Sequence, residues 1–314
     1  MDFELKILGS SSAIPAPNRF HTAQVLTVGS HLNLIDCGEG TQTQLMRYKI
    51  KHHRILNIFI SHLHGDHFFG LFGLLSTMHL QMRTTPLNLF GPPGLAELLT
   101  LQFKVSNTNL TFPISFHEVN PTVYKRIFED KTMTVHTLPM EHRVPCCGYL
   151  FKEKPKQRHL VKEKLPDFLT PPQLVRLKFG EDIKDEHGEI LVHNKDVTTD
   201  PKRSRSYAYC SDTKYKEDIL PYIKGVDLLY HEATFLHEMV DRAAYTHHST
   251  ALQAATLAKK AEVRRLLIGH FSARYKDLTP VLEEAKAVFE NTILATEGKT
   301  IGVLEYDFKE EELA

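Results

Sequence analysis

Eight residues, Ile60-Ser61-His62-Leu63-His64-Gly65-Asp66-His67, constrain this chain more than any other stretch. The apolar run Ile58-Phe59-Ile60 before them has the character of a buried strand, and the apolar segment from Phe68 to Met82 reads as a helix. The motif is therefore expected on a strand-to-helix turn, where a rigid frame presents side chains for chemistry. Three histidines and an aspartate within six residues match the nitrogen and oxygen donors that zinc prefers. His62 and His64 can grip one ion, while Asp66 and His67 are displaced towards a second. A histidine-rich surface turn is the bland alternative; the H-x-H-x-D-H order favours metal.

Other candidate donors follow strands. Strands are expected at Phe3 to Leu8, in a hairpin of Val25 to Val28 and Leu32 to Ile35 about Gly29-Ser30, and at Leu87 to Phe90. More are expected at Thr132 to Leu138, Tyr207 to Cys210, Val226 to Tyr230 and Arg265 to Gly269. Helices are expected near Asp36 to Gln42, over Leu95 to Leu101, and around Ala251 to Ala258 with Ser249 or Thr250 near the cap. His62, Asp212, Glu232 and His270 each lie within two residues of a strand end, where α/β sheets place their sites. The stretch from Gly9 to Arg19 is too rich in Gly, Ser and Pro for regular structure.

From Phe151 to about Ser204 the chain becomes polar and charged. Six Lys or Arg stand against two Glu between Lys152 and Lys164. Such a run usually marks a solvated face. Its flanks read as core strands, so an inserted, protruding arm is expected at about 151–204 within a single domain spanning 1–314. The formal net charge of zero argues against wholesale polyanion binding and leaves room for a local basic patch. Four cysteines without a regular framework are expected to be reduced core thiols. No apolar run approaches the ~20 residues of a membrane span, and Met1-Asp2-Phe3-Glu4 does not open a signal peptide. A soluble, cytoplasmic protein with no membrane segment is the expectation.

Two zinc ions need about seven ligand contacts and a position for water. His62, His64 and His142 suit the first ion, Asp66, His67 and His270 the second, and Asp212 can bridge both with its two oxygens. Spacing alone supports His142 least, since a lone histidine after a strand is more often structural. Two ions roughly 3.5–4 Å apart lower the pKa of bound water to about 7 and suit attack on phosphorus. Asp66 can accept a proton from that water. His248 is the candidate acid for a leaving alkoxide, with Glu232 orienting it. A helix N-terminus would lower this histidine's pKa and Glu232 would raise it. Thr246-His247-His248 also reads as an ordinary polar loop.

The segments LGSSSAIPAPNR, DCGEGTQ, SHLHGDHFFG, FGPPGL, MEHRVPCCGY, SDT, HEATF, HHSTA and GHFSARY together resemble the ribonuclease Z (tRNase Z) family of the metallo-β-lactamase superfamily. The resemblance runs nearly end to end. It implies an α/β fold, a four-layer αβ/βα sandwich with a protruding arm, usually a homodimer, with two Zn2+ per chain on the donors named above. It makes Asp66 the proton acceptor and His248 the proton donor. The implied reaction is cleavage of precursor tRNA just 3′ of the discriminator nucleotide, leaving a 3′-hydroxyl and a trailer 5′-phosphate. Pro15, Pro17 and Arg19 then fall in the loop that reads the tRNA 3′ end, and Arg274 is a further substrate contact. The arm would grip the tRNA elbow through Lys152, Lys154, Lys156 and Arg158, with Lys202, Arg203 and Arg205 near its return. Two local departures stand out: Thr170-Pro171-Pro172-Gln173-Leu174 where the family's arm carries a P-P-G-P-like element, and Arg19-Phe20 where it reads R-N.

Two rivals remain. A small-molecule hydrolase on the same fold would have no use for a basic arm. A non-catalytic RNA-binding protein would be expected to have lost ligands, whereas all seven are present.

Overall fold

The computed structural model describes residues 2–304. Strands β1 (Phe3–Gly9), β2 (Ala23–Val28) and β3 (His31–Ile35) form an antiparallel meander. Helix α1 (Thr41–Arg47) follows, then β4 (Ile55–Phe59), α2 (Gly65–Phe68), α3 (Gly70–Leu80), β5 (Leu87–Gly91), α4 (Leu95–Val105) and β6 (Ile114–Glu118). From β3 to β6 the pairing is parallel, as helical crossovers require. Strands β7 (Arg126–Glu129), β8 (Met133–Pro139) and β9 (Cys147–Glu153) begin a second sheet.

An inserted unit comes next, with β10 (His159–Leu160), α5 (Pro171–Lys178), β11 (Ile183–Lys184), β12 (Ile190–Val192), α6 (Asn194–Val197) and β13 (Thr198–Thr199). The second sheet resumes with β14 (Ser206–Cys210), α7 (Leu220–Ile223), β15 (Leu228–Glu232), α8 (Val240–Thr246), α9 (Ala251–Lys260), β16 (Arg265–Gly269), α10 (Thr279–Lys286) and β17 (Thr292–Leu294). A last strand, β18 (Thr300–Gly302), returns to the edge of the first sheet beside β1.

Among the described residues each sheet has seven strands, ordered β18-β1-β2-β3-β4-β5-β6 and β17-β16-β15-β14-β9-β8-β7. One apolar cluster joins their facing sides: Phe3, Leu5, Phe59 and Phe90 from the first meet Tyr149, Phe151, Tyr207 and Tyr230 from the second. Phe59 stacks on Phe90 at 4.7 Å between ring centroids and meets Phe151 edge-on at 5.3 Å. A second cluster packs α1, α3 and α4 on the outside of the first sheet, and a third packs α7, α9 and α10 on the outside of the other. This is the four-layer αβ/βα sandwich that the family resemblance implies. Among the described residues no helix is long and apolar enough to cross a membrane. All four cysteines are buried and free.

Glu153–Ser204 forms a separate compact unit. Polar and charged as its composition is, it has a small core of its own. Leu177, Ile183, Val192 and Val197 are buried together, with Leu160, Leu165, Leu169 and Leu174 packed against them. The apolar residues are few and widely spaced, so no periodicity announces them. Thr170 caps α5 in a capping box with Gln173, and Pro171 occupies the helix start, where its missing N–H costs nothing. The insert also begins later than expected. Lys152 belongs to β9 and pairs with Ser206 across the ladder.

The helix after the histidine motif starts earlier than its apolar residues suggest. Helical geometry begins at Gly65, continues through Phe69 (φ −61°) into α3 and ends at Leu80, with Met82 already at φ +58°. Asp66 and His67 therefore lie on the first turn of a helix, where polar residues are at home and a hydrophobic pattern has not yet begun. Strand β6 is largely exposed and alternates only over Ile114-Ser115-Phe116-His117, and β7, half-exposed, does not alternate at all, so both are weakly marked in the sequence.

Two glycines let this helix approach the segment after β3. A methyl on Gly38 would sit 2.3 Å from the Asp66 carbonyl oxygen, and one on Gly70 would sit 2.1 Å from that of Gly38. Both obstacles are backbone, which cannot rotate away. Gly38→Ala is expected to destabilise the fold by about 1–3 kcal/mol, as overpacking does, read as a lower urea midpoint at unchanged m-value.

Candidate metal centre

One edge of the sandwich collects every donor. Residues just past the ends of β4, β8, β14 and β16 supply His62, His142, Asp212 and His270, α2 adds Asp66 and His67, and His64 caps that helix. Among the described residues, His62, His64, His142 and Asp212 form one group with metal-binding spacing; Asp66, His67, Asp212 and His270 form another. In the first, His64 Nδ1 lies 3.1 Å from both His62 Nε2 and His142 Nε2, and Asp212 Oδ2 lies 3.6 and 3.8 Å from the same two nitrogens. In the second, His270 Nε2 lies 3.2 Å from Asp66 Oδ2 and 3.4 Å from His67 Nε2. Asp212 Oδ1 is 3.3 Å from each of those nitrogens. Four ligands about 2.0–2.1 Å from a tetrahedral ion stand roughly 3.3 Å apart. Both groups have that spacing, and the two Asp212 oxygens divide between them.

The hydrogen bonds explain why the nitrogens converge. The Nδ1–H groups of His67, His62, His142 and His270 point outward to protein acceptors. They reach Asp36 Oδ2 (2.7 Å), Ser61 Oγ (3.0 Å), the His247 carbonyl (2.9 Å) and Thr234 Oγ1 (2.9 Å) respectively. Each outward bond fixes the ring and aims Nε2 inward. His64 is reversed and presents Nδ1.

The unsatisfied groups fit a cation. Asp212 Oδ1 is buried with no hydrogen-bond partner, a costly state for a carboxylate oxygen unless a positive charge faces it. Cys146 is no ligand. Its sulfur lies 3.6 Å from the outward Nδ1 of His62, and burial pushes its thiol well above the ordinary range.

Burial opposes charge throughout this centre; neighbouring charges outweigh it at Asp66, His67 and Asp212, while burial wins at His62, His64 and His142. Desolvation would raise Asp66 and Asp212, but His67 and His270 hold both carboxyls well below their usual range. Burial would lower His67; Asp212, Asp66 and Asp36 outweigh it and raise the imidazole well above its usual value. His142, with burial as its largest influence, falls to about 4.

Beside the donors, His248 Nδ1 donates to Glu232 Oε1 at 2.8 Å and lies 4.0 Å from Asp212 Oδ2. Glu232 is fully buried and also accepts from the Thr213 and Thr234 amides and the Thr234 hydroxyl. Burial would lower His248, but Glu232 and then Asp212 lift it to about 9. At this histidine the carboxylates outweigh burial.

The residues expected to touch substrate are more engaged than the sequence suggests. Arg19 donates to the Tyr275 and Ser272 carbonyls at 2.8 and 3.2 Å. The Arg274 guanidinium lies over the Phe235 ring, 5.1 Å from its centroid, and against Met239. Pro15 and Pro17 lie in the irregular stretch before Arg19, and neither is buried. Within the insert, Lys156 pairs with Glu153 at 2.9 Å and Arg158 with Asp200 at 2.5 Å. Sequence reasoning misses Asp36, Ser61 and Thr234, which hold donors in place.

Comparison with known proteins gives the lineage. The chain is 52% identical to a ribonuclease Z of Cytophaga hutchinsonii, over 96% of this chain and 97% of that one. It is 46% identical to a ribonuclease Z of Bacteroides fragilis, over 96% and 99%.

The chain belongs to the ribonuclease Z family.

Among solved structures, the short form of human tRNase Z aligns with a TM-score of 0.70 and 28% identity, covering 96% of this chain and 99% of that one. YhfI of Bacillus subtilis, a metallo-β-lactamase fold protein, shares the fold at TM-score 0.67 and 18% identity, covering 96% and 99%. A family model described as anti-Pycsar protein Apyc1 matches residues 3–158. That span holds His62, His64, Asp66, His67 and His142 but stops before Asp212, Glu232, His248 and His270. In this member of the ribonuclease Z family, a protonated His67 must lose its proton before Nε2 can bind metal. Zinc titration of metal-free protein at pH 7 is expected to release protons, and affinity should rise with pH. Calorimetry in two buffers of different ionisation enthalpy measures that release; identical heats would contradict it.

Proposed function

We propose that this ribonuclease Z family member is a two-zinc endoribonuclease that removes the 3′ trailer from precursor tRNA, cutting just after the discriminator nucleotide. The observation that carries the reading is the pair of donor groups split by the Asp212 oxygens, with the His248–Glu232 pair beside them. Five imidazoles and two carboxylates without a thiolate suit zinc, three for each ion with Asp212 shared. When bound, the ions supply a nucleophilic water at neutral pH and neutralise charge on the phosphoryl oxygens.

The chain's own residues do the rest. Asp66 takes the proton of the attacking water. His248, held by Glu232 through Nδ1, offers its other nitrogen and donates a proton to the departing 3′-oxygen of the discriminator ribose. The elevated pKa keeps that proton in place at neutral pH. The products are a tRNA 3′-hydroxyl and a trailer 5′-phosphate. Pro15, Pro17, Arg19 and Arg274 lie near the RNA 3′ end, and the inserted unit docks the tRNA elbow. Family resemblance supports a homodimeric, cytoplasmic enzyme.

Labelled precursor tRNA with a 3′ trailer, mapped at its product ends, tests the reading. Native protein should cut after the discriminator, and His64→Ala should lose at least about 10²-fold, the scale of a disrupted metal shell. Zinc-loaded protein that left the precursor intact yet hydrolysed a small phosphodiester would transfer the assignment to a small-molecule hydrolase.

Affinity for a folded RNA comes largely from phosphate contacts and is salt-dependent. Replacing Lys152, Lys154, Lys156 and Arg158 by alanine should weaken precursor binding and reduce the log–log salt slope by about 1 for each phosphate no longer neutralised. Hydrolysis of a small phosphodiester should persist. Its loss as well would mean that these residues do something other than docking.

A further inference from the structure

We propose that Glu297 is a positioning residue for the RNA 3′ end, clamping both ends of the loop from Ser10 to Phe20 so that Pro15, Pro17 and Arg19 keep register with the metal centre. The inference rests on the tRNA reading of this site.

Glu297 lies between β17 and β18, far in sequence from the loop it holds. Its Oε1 accepts the Phe20 amide at 2.7 Å and the Ser10 amide at 3.3 Å, so one oxygen gathers the two ends of the loop. Its Oε2 accepts Gln44 Nε2 at 3.1 Å; the same amide nitrogen donates to the Leu8 carbonyl at 2.7 Å, at the end of β1. The Ser10 and Ser11 amides also meet the Phe20 carbonyl at 3.0 and 2.9 Å, and the carboxylate braces this closure from outside the loop.

A second set ties the loop to the segment holding His270. The Phe271 amide donates to the Ser10 carbonyl at 2.9 Å, and the Ser12 amide donates to the Phe271 carbonyl at 3.1 Å. Arg19 grips the Ser272 and Tyr275 carbonyls of that same segment. A loop held at its base and laced to the residue after a metal donor has a fixed offset from the reacting phosphate. Releasing the base leaves the donors' own supports, Asp36, Ser61, Thr234 and the His247 carbonyl, in place. The loss should therefore appear in substrate capture.

A neutral packing residue would hold the fold at less cost. Burial pushes the Glu297 carboxyl up to about 7, against the opposing influence of the Phe20 and Ser10 donors and of Arg19. Arg19 is the charged group facing it from the loop; uncharged Ser10 and Gln44 face it from the end of β1 and from α1. The folded value lies above the ordinary carboxylate value of about 4.3, so this group's contribution to stability falls as pH rises through about 7. Glu297→Gln should gain in Tm relative to native protein between pH 5 and pH 8. A titratable clamp kept despite that cost fits a role in activity.

The test compares native protein, Glu297→Ala and Glu297→Gln on precursor tRNA and on bis(p-nitrophenyl) phosphate. Glu297→Ala should raise KM for the precursor about tenfold, the worth of one good hydrogen bond, with kcat and small-diester hydrolysis within about twofold. Glu297→Gln keeps one acceptor oxygen and should recover part of the loss. Equal losses on both substrates, or no change on either, would overturn the proposal. If Glu297→Ala does not fold, Glu297→Gln decides alone: a raised precursor KM with an unchanged small-diester rate supports the clamp, and native values for both reject it. Native protein that fails on the precursor sinks the tRNA reading itself, whereas native cleavage with unsplit variants sinks the clamp alone.

Discussion

The carboxylate of Asp36 holds the two halves of this molecule in register. It is fully buried at the end of β3, with its backbone at φ +53°, a conformation that aspartate tolerates better than most residues. Four donors converge on it: the Ser61 amide at 2.7 Å, the Ser61 hydroxyl at 2.8 Å, His67 Nδ1 at 2.7 Å and the Tyr209 hydroxyl at 2.5 Å. The first two belong to the turn after β4, the third to α2 and the fourth to β14 in the opposite sheet. One side chain thus binds the loop that starts the metal motif, a donor within it, and the facing layer. Leaving any of these donors unpaired would cost about 1–3 kcal/mol, so the network acts as a unit.

Much of the architecture is legible because its signals are local. The histidine motif is contiguous, and Asp212, Glu232 and His270 stand at the ends of apolar runs that could only be strands. What escapes are contributions made across long sequence separations by a single atom. Asp36 stands out in the sequence only as part of DCGEGTQ, although it lies 31 residues from His67 and 173 from Tyr209. Thr234 supports both Glu232 and His270 with one hydroxyl. His247 reads as ordinary loop, yet its carbonyl orients His142, the donor that spacing supports least. The helix onset at Gly65 and the small core of the insert stay hidden for a related reason. Hydrophobic periodicity reports neither a polar first turn nor a cluster assembled from scattered leucines.

Among the described residues eight non-glycine positions have positive φ, and three of them serve this centre. Asp36, His247 and His270 all have positive φ, near +53°, +58° and +60°, in residues other than glycine. Such conformations persist only where surrounding contacts over-determine them. Each of the three presents an atom that the centre uses: an acceptor for His67, a carbonyl for His142, and the His270 ring itself. The sheets supply rigidity, and the turns after their strands convert it into aim.

The donor set at this centre is a liability that a cation relieves. Five imidazoles and two carboxylates crowd inward, and four of the imidazoles spend their Nδ1 hydrogens on outward bonds, which turns their Nε2 atoms towards one another and towards Asp212. No protein donor satisfies Asp212 Oδ1. A protein can hold such a configuration only if the rest of the fold bears the cost, and here three apolar clusters pack the two sheets against each other and against their helices. Ions that bind the folded chain and not the unfolded one return stability by mass action. The same outward bonds that crowd the ring nitrogens together also leave the site pre-shaped, so little reorganisation is needed when an ion arrives or when charge develops on a phosphoryl group.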